Sequence, residues 1–176
     1  MEQYIMITLK EMVGKSSIEI IALLIGNIQQ GDLTQINLSI KLIKANLLKS
    51  KKIFVEDIIQ NLVDYASKGT AEKDGNATCV HGLLNLTGIG LPRNFVRAKE
   101  LFECAMDLGH THTINILATM YHKGQGVEQS YDTAIELYKQ AAELGDATAI
   151  NNLASMHLKG QGVEQSYDTA IELYKQ

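Results

Sequence analysis

The sequence predicts an all-α fold, a right-handed α-solenoid of antiparallel helix pairs, from three observations. Residues 123–140 and 159–176 share the sequence KGQGVEQSYDTAIELYKQ and lie 36 positions apart. A G-x-G pair recurs with the same period at residues 88–90, 124–126 and 160–162. The chain is 45% apolar but only 6% aromatic, and it contains no Trp and one Pro. A fixed period of this size indicates stacked units that each bury one face against a neighbour.

The first 52 residues predict helical hairpins without the later glycine pattern. Capping-box spacing at residues 16–19 begins one helix, and Gly31 ends it. We interpret residues 1–52 as an N-terminal helical cap or a degenerate repeat, because the end of a solenoid must shield its apolar face. A basic cluster closes this segment, and without interleaved aromatics a solvated helix end is favoured over contact with an acidic partner or a membrane surface. The cluster consists of Lys41, Lys44, Lys49, Lys51 and Lys52.

The repeat array is predicted to occupy residues 53–176. A helix over residues 54–66 is expected to end at Gly69, before a short polar loop. In each later unit a helix A precedes the G-x-G turn and a helix B follows it. The units are expected at residues 53–69 (partial), 74–109, 110–145 and 146–176 (truncated).

Local signals support this helix–turn–helix interpretation. The G-x-G pairs supply the backbone freedom that a tight turn between antiparallel helices needs. Asn94, Ser130 and Ser166 are expected to cap the N-termini of the B helices. Leu137 and Tyr138 are expected to be largely buried, because they can fill the space beside small residues such as Ala118 and Ala154.

These residues resemble the Sel1-like repeat, a relative of the tetratricopeptide repeat. The pattern A-x-x-L-Y-x-x-A-A-x-x-G is present at residues 134–145, and L-A-x-M-Y-x-x-G-x-G-V at residues 117–127. The resemblance implies a TPR-like solenoid that acts as a non-catalytic adaptor or scaffold without a cofactor. Leu137 and Leu173 stand where the family often has Trp. The last unit stops short of the Ala-Ala-x-x-Gly segment, so the natural protein is expected to be longer, or this array is a fragment.

Catalytic motifs for nucleophiles, phosphate loops and zinc hydrolases are missing from the sequence, so no catalytic residue is assigned. His110 and His112 could contribute to a metal site, but no third ligand is placed by spacing, and solvated turn histidines are favoured.

Cys79 and Cys104 are expected to be free thiols. Cysteine-rich members of the resembled family bind or slowly hydrolyse β-lactams, which leaves a weak amide hydrolase as an alternative function.

The expected function is protein–protein interaction, with a protein or peptide segment docked in the concave groove. Helix A lines the inside of the curve in such arrays. Amide and hydroxyl side chains on that helix could pair with a peptide backbone. The candidate groove residues are Asn115, Thr119, Asn151 and Ser155, with Cys79 and Leu83 as their counterparts in the first unit. The first four are expected to form one exposed strip and to be free of internal hydrogen bonds.

Charge and hydropathy limit the other partners. The net charge of −4 does not favour nucleic acid, and no apolar run is long enough for a membrane span. No clear signal peptide is present, so a cytoplasmic location, or delivery by a non-classical route, is expected. The apolar end of the truncated last unit could also pack on another copy, which makes a self-assembling structural array a second alternative.

Overall fold

The computed structural model describes residues 52–175 of the chain, and within this range the regular structure is entirely helical. The predicted cap over residues 1–52 and the lysines at positions 41–51 therefore lie almost entirely outside the described residues. Within the described part, no helix is both long enough and apolar enough to cross a bilayer. The helices are α1 (Lys52–Ala71), α2 (Gly75–Thr87), α3 (Phe95–Asp107), α4 (Thr113–Lys123), α5 (Tyr131–Glu143), α6 (Ala147–Lys159) and α7 (Tyr167–Tyr174).

The helices pack in chain order, each against the one before it and the one after it. Three helix–turn–helix units result, formed by α2 with α3, α4 with α5, and α6 with α7. Two hydrophobic clusters hold them together, one from α1 to α4 and the other from α4 to α7, and Leu137 and Met106 contact both. The predicted all-α repeat fold is confirmed.

The turns and caps follow the sequence signals. Gly88, Gly124 and Gly160 each follow a helix A with φ between 65° and 72°, the left-handed region that favours glycine. The side chains of the predicted caps accept hydrogen bonds from the backbone at the start of the B helices. Ser130 Oγ, for example, accepts from Thr133 N at 3.2 Å. These contacts fix where each helix B begins.

One local prediction is wrong. Gly69 does not end α1, which continues to Ala71. It lies buried where α1 crosses α2, and a Cβ at this position would overlap the Cβ of Ala77. The glycine therefore permits a close helix crossing. Tyr138 is buried as predicted, and Leu137 is partly buried and contacts both clusters.

Candidate interaction surface

The predicted groove residues do not form one exposed strip. Asn151 is exposed, and Thr119 and Ser155 are partly exposed. Asn115, Cys79 and Leu83 are buried, with exposed fractions of 6%, 1% and 6%. The exposure expected for Asn115 is wrong, and the groove positions assigned to Cys79 and Leu83 are not accessible to a partner.

A polar contact between α4 and α6 explains the burial of Asn115. Asn152 Nδ2 on α6 donates a hydrogen bond to Asn115 Oδ1 on α4 at 3.2 Å. The face of helix A that carries Asn115 therefore lies against the helix A of the following unit. Cys79 and Leu83 take equivalent positions one unit earlier. Asn152 was not among the predicted residues. The equivalent positions of the earlier units hold the apolar residues Val80 and Ile116, and a polar residue at this position was the signal that could have indicated the contact.

Thr119 is held in place by bonds within its own unit. Its Oγ1 donates to Asn115 O at 3.0 Å and also lies 3.0 Å from the hydroxyl of Tyr138. Burial raises the pKa of the Tyr138 phenol, and the Thr119 contact opposes this change. The prediction that Thr119 and Asn115 would be free of internal hydrogen bonds is wrong. The hydroxyl of Thr119 keeps some acceptor capacity, since it has two lone pairs.

We define the helix-A surface as Thr119, Asn151 and Ser155, the predicted residues that remain at least partly accessible. Thr119 and Ser155 are 36 positions apart and occupy the same place in consecutive units. Asn151 lies one helical turn before Ser155 on α6. These side chains are uncharged and offer hydroxyl and amide groups, a chemistry suited to main-chain N–H and C=O groups of a partner.

The cysteines lie in unlike environments. Both are free, Cys79 buried and Cys104 exposed. Burial raises the pKa of the Cys79 thiol to about 12, so this group stays protonated and is a poor nucleophile. Cys79 is therefore a packing residue of the first unit.

The histidines also differ from one another. The rings of His110 and His112 lie 6.0 Å apart, and within residues 52–175 no three His, Cys, Asp or Glu side chains gather in a way that could hold a metal ion. His122 packs beside Tyr131 and Tyr138, and its Nε2 lies 3.2 Å from Gln161 Oε1 in the following turn. His157 is partly buried, with Nδ1 enclosed and unpaired within the described residues. His122 and His157 therefore act in packing between and within units.

Comparison with known proteins agrees with the repeat boundaries seen in the helices. The family model described as the Sel1 repeat matches residues 76–110, 114–146 and 147–176. No curated protein sequence matches the chain.

Two solved structures share the fold. A Sel1 repeat protein from Oxalobacter formigenes is 25% identical with a TM-score of 0.61, over 69% of this chain and 47% of that protein. A protective antigen of uropathogenic Escherichia coli strains, which displays an SLR fold, is 23% identical with a TM-score of 0.55, over 89% of this chain and 37% of that protein. The chain thus spans less than half of the length of either protein.

Proposed function

This chain belongs to the Sel1 repeat family, and from that premise we propose that it binds a segment of a protein partner on the helix-A surface. Sel1 repeats are generally protein–protein interaction modules. The observation that supports this site is the accessibility of Thr119, Asn151 and Ser155 on consecutive A helices whose relative position is fixed by the Asn152–Asn115 hydrogen bond. Helices that are already packed together reduce the ordering cost of binding.

The partner segment is proposed to be extended or helical and to present unpaired main-chain groups. The helix-A surface carries no charge of its own, so hydrogen bonding and shape supply most of the selectivity. The two free cysteines support a reducing compartment, and a cytoplasmic location is therefore part of the proposal.

Charged substitutions on this surface should weaken binding without unfolding the chain. Replacing Asn151 and Ser155 together by Arg is expected to lower the affinity for the partner about tenfold or more, because two bulky cations must be desolvated or displaced. The stability should change by no more than about 0.5 kcal/mol, as is usual for surface positions. The measurement is calorimetric titration of the full chain with a partner recovered from the native host.

Gln140→Arg provides the matched control. This residue is exposed on α5, away from the helix-A surface, and the change adds the same side chain. The control should bind like the wild type. Equal affinities for the Asn151/Ser155 double variant and the wild type would refute the proposed site, and weaker binding by Gln140→Arg alone would move the site to the B helices.

A second candidate function is self-association through the outer face of α7. Tyr167, Ile171 and Tyr174 are 62%, 50% and 52% exposed. Their counterparts in the identical segment of α5 are covered by the following unit, so that Ile135 and Tyr138 are 7% and 1% exposed. In α5 these side chains pack against the next helix pair, and in α7 they are proposed to pack against a helix pair of a second copy.

Ile171→Glu is expected to abolish such association, because a carboxylate would have to be buried in the contact. The matched control is Val96→Glu, since Val96 is also largely exposed, at 57%, but lies on α3. Sedimentation equilibrium over a range of concentrations should give a mass that rises with concentration for the wild type and Val96→Glu, and a constant monomer mass for Ile171→Glu. A constant monomer mass for all three chains would exclude self-association.

A further inference from the structure

The position that precedes each helix A holds an aspartate in two units and a histidine in the third. Asp74, His110 and Asp146 are 36 residues apart. Asp74 Oδ1 accepts from the backbone N of Asn76 and Ala77 at 2.8 and 3.1 Å. Asp146 makes the same two bonds, to Thr148 N and Ala149 N, at 2.9 and 3.1 Å. Each aspartate thereby pairs two donors that the first helical turn leaves free.

His110 does not replace this cap. Helix α4 begins at Thr113, two positions later than its counterparts in register, and the side chain of its N-cap residue, His112, makes no cap hydrogen bond. The imidazole is instead folded inward and is 8% exposed. Both of its ring nitrogens are enclosed and have no hydrogen-bond partner within the described residues.

The backbone holds this ring at the joint between the first and second units. His110 N donates to Ala105 O of α3 at 2.9 Å, and His110 O accepts from Thr113 Oγ1 at 2.6 Å. A mainly polar cleft beside the joint is lined by the start of α2 and by the turn itself, including Gly75, Asn76 and His112. The ring is therefore enclosed next to a path to solvent.

A proton on His110 would be unfavourable in this position. Burial lowers the pKa of His110, and the neighbouring His112 lowers it further, while the backbone carbonyl of His110 itself and then Asp74 at the start of α2 act in the opposite direction. Asp74 binds two backbone N–H groups through Oδ1, and no hydrogen bond or ion pair joins its carboxylate to the ring of His110 within the described residues. His112 has Asp146 Oδ2 of the following unit 3.8 Å from its Nδ1.

We propose that His110 makes the joint between the first and second units acid-sensitive, because its protonation requires the ring to leave its enclosed site and loosens the start of α4. The pKa of the enclosed ring lies below that of the open state, which is about 6.5. The closed joint is therefore fully stable above that pH. Its stability falls as the pH drops from about 6.5 towards the lowered pKa, since only the open state binds the proton.

Hydrogen exchange of the full chain tests this directly. After correction for intrinsic rates, the protection of the amides at the start of α4 should fall between about pH 7.5 and about pH 5.5, by up to about tenfold per pH unit below the open-state pKa. The internal control is the start of α6, where Asp146 supplies the cap. Protection there should change less over the same range.

Two variants distinguish the effect of protonating His110 from the effect of the missing side-chain cap on α4. His110→Asp restores the residue that caps the other units, and its α4 protection should be higher than that of the wild type and independent of pH over this range. His110→Gln removes the titrating group, and it should also lose the pH dependence even if its stability is lower. A wild-type profile that is flat, or a slope that persists in both variants, would overturn the proposal, and the second result would assign the slope to another histidine such as His81.

Discussion

Phe102→Ala is expected to lower the free energy of unfolding by about 3–5 kcal/mol, the usual range for a large aromatic core side chain. The Phe102 side chain is fully buried in the cluster that joins α1 to α4. Its ring lies against Gly82, where an added Cβ would be 2.5 Å from Phe102 Cε1. The ring thus fills space that the glycine leaves open, and alanine would leave a cavity between α2 and α3.

Tyr174→Ala is the matched control for this effect. Tyr174 occupies the position of Phe102 in the last unit, but it is 52% exposed, whereas Phe102 is 0% exposed. Its removal should cost no more than about 1 kcal/mol, because little apolar surface is returned to water. Urea denaturation followed by circular dichroism measures both variants. Similar losses at the two positions would contradict the packing described for the first unit.

Much of this fold could be predicted from the sequence alone because of the repeat period. The G-x-G pairs placed the turns, and Asn94, Ser130 and Ser166 placed the starts of the B helices. These signals are local, since caps and left-handed glycines depend on a few neighbouring residues. They are also repeated, so that each unit supports the interpretation of the others.

The exposure of single positions could not be predicted in the same way. Asn115 is polar and has helical spacing from Thr119, but its burial depends on Asn152, 37 residues later. The local sequence around Gly69 predicts a helix end. Only the contact between Gly69 and Ala77 shows that Gly69 lies where two helices cross. Such features depend on the angle between helices of different units, which spacing within one helix does not determine.

The central claim is that the units stack by direct contact at the glycine turns and so present one continuous surface. The second glycine of each pair supplies this contact. Gly126, in the turn after α4, has φ 72°, and a Cβ there would lie 2.6 Å from the backbone C of Phe95, at the start of α3. Gly145 has a similar φ of 85°, but nothing lies within 4 Å of a Cβ added to it.

Substituting each of these two glycines by alanine distinguishes the stability cost of the left-handed backbone conformation from the cost of the contact between units. Alanine at either position must adopt a left-handed conformation, at a cost of about 1–2 kcal/mol. Only Gly126→Ala must also push the second unit away from the first. Forcing an extra carbon into a packed contact adds about 1–3 kcal/mol.

The most direct measurement is therefore the difference in unfolding free energy between Gly126→Ala and Gly145→Ala, obtained from urea denaturation of the full chain. Stacking by direct backbone contact predicts that Gly126→Ala is the less stable variant by about 1–3 kcal/mol. Equal stabilities would show that the turn conformation alone requires the glycine and that the units do not meet there, which would contradict the account.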